Sequence, residues 1–228
     1  MHILIKFPSR GRPDKLRSTF LKYVGFAEDI SKISFLISLD EDDSTVTKTQ
    51  QIILKKIHPD TQIVIGKSCG KIGAVNRDME LAPPYDILLL ASDDMIPQVK
   101  GYDRIIRDKM TQHYPDTDGV VWFNDGYQKD RLNTLCIMGK KYYDRFGYIY
   151  HPSYKSLWCD NEFTVVATML GKQTYFEQII IKHEHPLWTK ETPDTVLVEN
   201  DKYDPEDRAN FERRKKEGVF LLSVRDSG

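Results

Sequence analysis

Cysteine is scarce in this chain. Cys69, Cys136 and Cys159 are scattered, and no two of them stand at CxxC spacing. That argues against a disulfide framework and against a structural zinc site. The expectation is a soluble, intracellular, cytoplasmic protein with reduced thiols. Long hydrophobic runs are missing too. No apolar stretch approaches the roughly 20 residues needed to span a bilayer, so any membrane contact would be peripheral. Nor is there an excess of charge of one sign: 33 Lys and Arg face 34 Asp and Glu, a formal net charge of −1. A nucleic-acid partner is not expected from that balance. The opening Met1-His2-Ile3-Leu4-Ile5-Lys6 runs into a strand pattern without a signal-peptide layout. Repeats, low-complexity tracts and obvious linkers are absent, which predicts one domain over 1–228.

What is present is ordinary globular composition, 40% hydrophobic and 29% charged. The most informative stretch is Asp86-Ile87-Leu88-Leu89-Leu90-Ala91-Ser92-Asp93-Asp94-Met95. A short, dense apolar run reads as a strand buried on both faces, as in a parallel sheet. It stops at two adjacent acids. Ligands of open α/β sheets bind beyond the carboxyl ends of strands, and paired carboxylates there suit a hard divalent cation. A solvated Asp-rich turn is the competing reading.

The first half alternates strand and helix. His2 to Phe7, Ile33 to Leu39, Thr61 to Ile65 and Ile87 to Ala91 read as strands. Pro13 starts a helix carrying Leu16, Phe20 and Val24. Ser44 is placed to cap a second helix with Val46, Ile53, Leu54 and Ile57 on its apolar side, and Gly70 to Leu81 reads as a third. This rhythm predicts parallel βαβ units. In the second half, Tyr102 to His113 and Glu162 to Leu170 read as helices. Gly119 to Phe123 and Leu132 to Met138 read as paired strands, and Thr174 to Ile181 as a further one, interrupted by Glu177-Gln178. Phe146 to Trp158 is an aromatic loop of the kind that carries function. Asp204 to Glu217 is a charged helix anchored near Phe211, with Arg213-Arg214-Lys215-Lys216 on a solvated face.

Several of these strand ends bear chemistry. Pro8-Ser9-Arg10-Gly11-Arg12-Pro13 follows the first, Asp40 the second and Ser92-Asp93-Asp94 the fourth. If the sheet is parallel, they share one edge. Arginines beside a Gly turn and a helix start favour an anion. Adjacent carboxylates would repel that anion unless a cation lies between them. The alternative for Arg10 and Arg12 is a surface turn with salt bridges to Asp14 or Glu41.

In this order the segments resemble the GT-A-type glycosyltransferases, close in layout to the inverting family-2 enzymes. Phe7 to Pro13 resembles their opening strand and turn, including Pro8, Ser9, Arg10 and Arg12 as nucleotide-sugar contacts. Ser38-Leu39-Asp40 resembles the second strand end, whose acid meets base or ribose. Lys71-Ile72-Gly73-Ala74-Val75-Asn76-Arg77 resembles the family's Lys/Gly-x-x-Ala-x-Asn segment beside the nucleotide. Ser92-Asp93-Asp94 resembles the DxD metal site. Trp158-Cys159-Asp160-Asn161-Glu162-Phe163 resembles the acidic motif that supplies the catalytic base, and Ile181-Lys182-His183-Glu184-His185-Pro186 the closing segment whose His completes the metal shell.

The resemblance spans roughly residues 3 to 187 and departs in two places. Ser92 replaces the first acid of DxD, which makes Asp94 the better metal ligand and leaves Asp93 to the ribose or a water. Cys159 stands where the family often has an acid, which leaves Asp160 or Glu162 as the base.

What the resemblance implies is an α/β, Rossmann-like, mostly parallel twisted sheet flanked by helices. It implies a nucleotide-sugar-binding half over 1–98, an acceptor-binding half over 99–198 and a helical tail over 199–228. The implied reaction moves a sugar from a nucleotide-diphosphate donor, a UDP-sugar first, to the hydroxyl of a glycan or other acceptor. The implied cofactor is Mn²⁺ or Mg²⁺ on Asp94 with His183 or His185. Trp158, Trp188, Tyr150 and Tyr154 are either stacking faces for the acceptor or packing residues. A sugar-phosphate nucleotidylyltransferase and a non-catalytic nucleotide-sugar- or glycan-binding domain are the alternatives.

Overall fold

The computed structural model describes residues 1–184 and 195–221. In chain order the elements are β1 (Ile3–Ser9), α1 (Pro13–Phe26), β2 (Ile33–Asp40), α2 (Lys48–Ile57), β3 (Gln62–Gly66), α3 (Gly70–Asn76), β4 (Ile87–Leu90), β5 (Met95–Pro97), α4 (Tyr102–His113), β6 (Val120–Phe123), β7 (Ile137–Gly139), α5 (Lys140–Phe146), α6 (Cys159–Met169), β8 (Gln173–Phe176), β9 (Ile181–His183), α7 (Thr195–Asp201) and α8 (Asp204–Lys216). Seven of the described strands form one sheet in the order β3-β2-β1-β4-β7-β6-β8. β3, β2, β1 and β4 run parallel, β7 is antiparallel to both its neighbours, and β8 is parallel to β6. The expected mostly parallel α/β sheet is present.

The alternation of side chains explains the layers. Ile87 and Leu89 of β4 join one core with Phe20 and Tyr23 of α1 and Ile106 and Met110 of α4. Leu88 and Leu90 enter the opposite core with Ile72 and Val75 of α3, Tyr142 of α5 and Phe163 of α6. All four β4 side chains are buried, each contributing about 1.5–3 kcal/mol. A strand covered on both faces needs an unbroken apolar run, which is what the sequence shows. The start of α5 is set by a close approach: a Cβ on Gly139 would lie 2.0 Å from the Thr117 carbonyl oxygen. Among the described residues no helix is long and apolar enough to cross a membrane.

Several local expectations need correction. Thr47, not Ser44, caps α2, accepting from the Gln50 N–H at 3.1 Å. Polar caps three residues apart are interchangeable in sequence, and the path of the chain out of β2 selects the later one. The helix expected over Gly70 to Leu81 ends at Asn76. Arg77 is extended there, and Asp78 sits at φ 67° before a short 3₁₀ turn over Met79–Leu81. The break has a tertiary cause: the buried Lys6 ammonium takes the Arg77 carbonyl at 2.8 Å. The interruption expected at Glu177-Gln178 is a full break that separates two strands in different sheets, β8 in the large sheet and β9 paired with β5. α6 begins at Cys159, so Asp160 lies in its first turn.

Candidate active site

The carboxyl ends of β1, β2 and β4 form one edge, because all three strands are parallel neighbours. Beyond β1 the chain turns at Gly11, whose φ of 70° suits a residue without a Cβ. The Gly11 N–H donates to Asp43 Oδ2 at 2.6 Å. Arg10 bonds Asp40 at 2.8 Å and Asp42 at 2.5 Å, and these carboxylates raise its already high pKa. Asp42, bonded by Arg10, is held below the usual carboxylate range. Arg12 pairs with Asp93 at 3.2 Å. The sequence allowed an anion clamp or a salt-bridged turn. The arginines do make salt bridges, but to Asp40, Asp42 and Asp93 rather than to Asp14 or Glu41. Pro8 and Ser9 end β1 against Ser38 and Leu39 of β2.

Arg77 spans the ends of β2 and β3. It donates to the Leu39 carbonyl at 2.5 Å and the Lys67 carbonyl at 2.7 Å, and pairs with Asp40 at 3.0 Å and Asp78 at 3.3 Å. Its charge therefore sets Asp40 in place more than it faces a ligand. Beneath them lies Lys6, fully buried, bonded to Ser38 Oγ and the Arg77 carbonyl and 4.0 Å from Asp78. Burial pushes the Lys6 pKa down to about 8, against the pull of Asp78.

At β4 the chain turns tightly through Ser92-Asp93-Asp94, with the Met95 N–H bonding back to the Ser92 carbonyl at 3.1 Å. Asp93 is buried; burial raises its pKa to about 6, although Arg12 opposes the shift. Asp94 is the opposite case. Burial would raise it, but His183, Ser92 and Lys71 outweigh that and hold it well below the usual carboxylate range. Ser92 Oγ donates to Asp94 Oδ1, and His183 Nε2 lies 3.6 Å from Asp94 Oδ2. The strand pairing makes this contact: β5 runs antiparallel to β9 with Met95 opposite His183, and the Glu184 N–H donates to the Asp94 carbonyl at 2.7 Å. His185 and Trp188 lie outside the described residues. Among the described residues no group of three His, Cys, Asp or Glu side chains is placed to hold a metal. Asp94 and His183 are a pair that could contribute two donors, an ionised carboxylate oxygen and an imidazole nitrogen, with the rest of a shell left to a ligand.

Asp160 and Glu162, two residues apart, have different surroundings. Glu162 is buried and gripped in a two-pronged bond by Arg214 of α8, at 2.8 Å on each oxygen, with Tyr154 donating at 2.6 Å. Among the described residues Asp160 has no ion pair of that kind; its Oδ1 accepts from the Asn161 N–H at 3.0 Å. Burial raises its pKa, and Lys71 and His183 act against that shift. The same two cations act on Asp94. Lys71 is exposed, in the first turn of α3.

Comparison with known proteins gives a fold. No family model matches the chain, and no curated protein matches it. Solved structures do. The mannosyltransferase PcManGT from Pyrobaculum calidifontis, solved with GDP-Man and Mn²⁺, superposes with a TM-score of 0.66 over 97% of this chain and 72% of its own, at 12% identity. S. aureus TarS 1–349 with UDP-GlcNAc gives 0.61 over 86% of this chain at 13% identity, and this chain spans 60% of that structure. At such identities only the fold is shared. The chain has the GT-A glycosyltransferase fold.

Within this GT-A frame several side chains singled out from the sequence are spent on the protein itself. Asn76 gives its oxygen to the Ile149 and Tyr150 N–H groups and its amide to the Tyr150 carbonyl, at 2.7–3.1 Å, and so fixes the aromatic loop. Tyr150 and Tyr154 are core residues. Trp158 donates to Asp204 at 2.9 Å and packs on Phe211 at 5.5 Å. Arg214, expected on a solvated face, is buried. Sequence reasoning missed Lys6, Asp207 and Arg214. Lys6 left a visible signal, a lysine in the middle of a strand whose neighbours are apolar. Arg214 and Asp207 left none, since nothing local marks which charges of a charged helix will be buried.

Proposed function

We propose that this chain is a metal-dependent glycosyltransferase that moves a sugar from a nucleotide-diphosphate donor, a UDP-sugar first, to an acceptor hydroxyl, with inversion. The observation that carries the reading is the pairing of Asp94 with His183, 3.6 Å apart just beyond the carboxyl end of β4 in a GT-A sheet, with Lys71 and His183 also the cations that act against the burial-raised pKa of Asp160. A carboxylate held ionised, just beyond β4, and a carboxyl with a raised pKa, in the first turn of α6, thus stand under the influence of the same two cations. Those are different tasks. An ionised oxygen suits a hard cation, and a raised pKa suits a general base working near neutrality. Two titratable groups whose environments push their pKa values apart are a pattern of acid–base sites.

In this reading Asp94 and His183 would hold Mn²⁺ or Mg²⁺, which would supply Lewis-acid stabilisation of the departing diphosphate. Asp40, set by Arg10 and Arg77, meets the base or ribose, and Asp93, paired with Arg12, lies beside it. Ser92 orients Asp94. Arg10, Arg12 and Lys71 complement the phosphates. Asp160 takes the proton of the acceptor hydroxyl. Glu162 is left out of that role, because its oxygens are engaged by Arg214 and Tyr154. The exposed part of Trp158 borders the acceptor side. Single in-line displacement inverts the anomeric centre.

The test is a thermal-shift panel of UDP, GDP, CDP and their sugars, each with and without Mn²⁺. A ligand that binds only the native state raises the melting temperature. A Mn²⁺-dependent shift confined to one nucleotide family is expected, followed by transfer from the matching sugar. No shift with any nucleotide overturns the proposal. A shift without turnover leaves a non-catalytic binding domain.

A further inference from the structure

The face of α8 that packs on the domain is an acid, an aromatic and a base: Asp207, Phe211 and Arg214, the buried residues of that helix. Their spacing puts all three on one side. Each meets a matched partner in the segment that carries Asp160. The fully buried Asp207 carboxylate accepts three consecutive backbone N–H groups, of Lys155 at 2.9 Å and of Ser156 and Leu157 at 2.8 Å. Arg214 holds Glu162. Phe211 lies against the Trp158 ring, whose N–H is taken by Asp204.

These contacts act where the local chain supplies little. Trp158, which caps α6, has no side-chain cap to offer and sits at φ 63°, a strained conformation for a bulky residue. Such strain persists only when the surroundings over-determine it. The surroundings here are α8. Asp160 is three residues beyond the last N–H that Asp207 binds and two before Glu162, so it is bracketed on both sides by groups α8 grips. The same segment also reaches α3, the Ile72 N–H donating to the Lys155 carbonyl at 3.4 Å.

We propose that α8 is a positioning element for Asp160, and that Asp207 is its principal positioning residue, fixing the turn that aims the Asp160 carboxylate. This rests on the reading of Asp160 as the base. Misplacing a catalytic group by about 1 Å costs on the order of 10²-fold in rate. The donor contacts proposed for Asp40, Asp94 and His183 lie on β2, in the turn after β4 and on β9, outside the segment that Asp207 binds.

The experiment compares Asp207→Asn, Asp204→Ala and, as a control, Asp103→Asn in the full chain. Asp103 is also a fully buried carboxylate; it accepts backbone N–H groups, of Glu28 and Asp29, but lies on α4 away from the site. Readouts are melting temperature, the Mn²⁺-dependent nucleotide shift, kcat and donor KM. Asp207→Asn is expected to lower kcat by about tenfold or more with donor KM and the nucleotide shift kept, while Asp103→Asn at a similar loss of melting temperature keeps kcat. If Asp207→Asn does not fold, Asp204→Ala, which removes only the Trp158 tether, is expected to show the same split more weakly. Unchanged kcat in a folded Asp207→Asn, or in Asp204→Ala when Asp207→Asn is unfolded, overturns the proposal. So does an equal loss in Asp103→Asn. Asp160→Asn run in parallel separates the two readings: if it keeps wild-type turnover, the base assignment fails, whatever α8 does.

Discussion

Asp94 and His183 face each other, 3.6 Å between Oδ2 and Nε2, although 89 positions separate them in the chain. Neither residue creates the contact. Antiparallel pairing of β5 with β9 sets Met95 opposite His183, and the turn after β4 then delivers Asp94 to the imidazole. The relation follows from strand register, which fixes side-chain placement along both strands.

Asp94→Ala is therefore expected to remove catalysis while leaving the fold. Asp94 would act by holding the cation that faces the developing negative charge, and losing one such preorganised electrostatic contact costs about 10²–10³-fold in kcat. Steady-state kinetics at saturating Mn²⁺, with circular dichroism to confirm folding, measures it. Wild-type turnover in the variant would refute the metal-site reading.

The two carboxylates at the start of α6 should respond differently. Asp160→Asn is expected to lower kcat by about 10²-fold or more with donor binding kept, within the range for loss of a general base. Glu162→Gln is expected to lower melting temperature first, because Glu162 is the buried partner of Arg214. If the kinetic loss follows Glu162→Gln instead, the base is Glu162.

Arg214→Met leaves the Glu162 carboxylate buried without its partner. Removing one member of a buried pair costs about 3–5 kcal/mol, and Tyr154 still donates one hydrogen bond. Denaturant unfolding should show a loss of that order. The double variant Glu162→Gln with Arg214→Met should recover part of it, since no unpaired charge remains. A loss below about 1 kcal/mol in the single variant, the surface-pair range, would refute the burial argument.

Lys6 gives a pH dependence of stability. Its folded pKa is depressed from 10.5 to about 8, chiefly by burial. Below pH 8 the folded state carries the buried charge at a cost. Between pH 8 and 10.5 folded Lys6 is neutral while the unfolded chain still binds the proton, so this group adds stability as pH rises through that window. Wild type should gain about 1 kcal/mol over Lys6→Met between pH 7 and pH 9, measured by denaturant unfolding. A constant difference would refute the depressed pKa.

Sequence and structure divide the protein along a physical line. The apolar run Ile87 to Leu90 determines its own strand and its two-sided burial, because side-chain period and hydrophobic burial are local properties. Pro13 and the Leu16 and Phe20 spacing determine α1 in the same way. The polar turns after β1, β2 and β4 were legible as one edge once those strands were read as parallel. The pairing of individual charges was not. Arg10, Arg12 and Arg77 look alike in sequence as candidate phosphate ligands, and only the folded chain sets Arg10 and Arg77 against Asp40, Arg12 against Asp93, and Arg77 alone of the three on the Leu39 carbonyl. Asp160 and Glu162 look alike as candidate bases, until Arg214, 52 positions after Glu162, claims one of them. Hydrophobic burial is written into each segment's own pattern. The partner of a charge is set by distance between residues remote in sequence, and that only the tertiary structure decides.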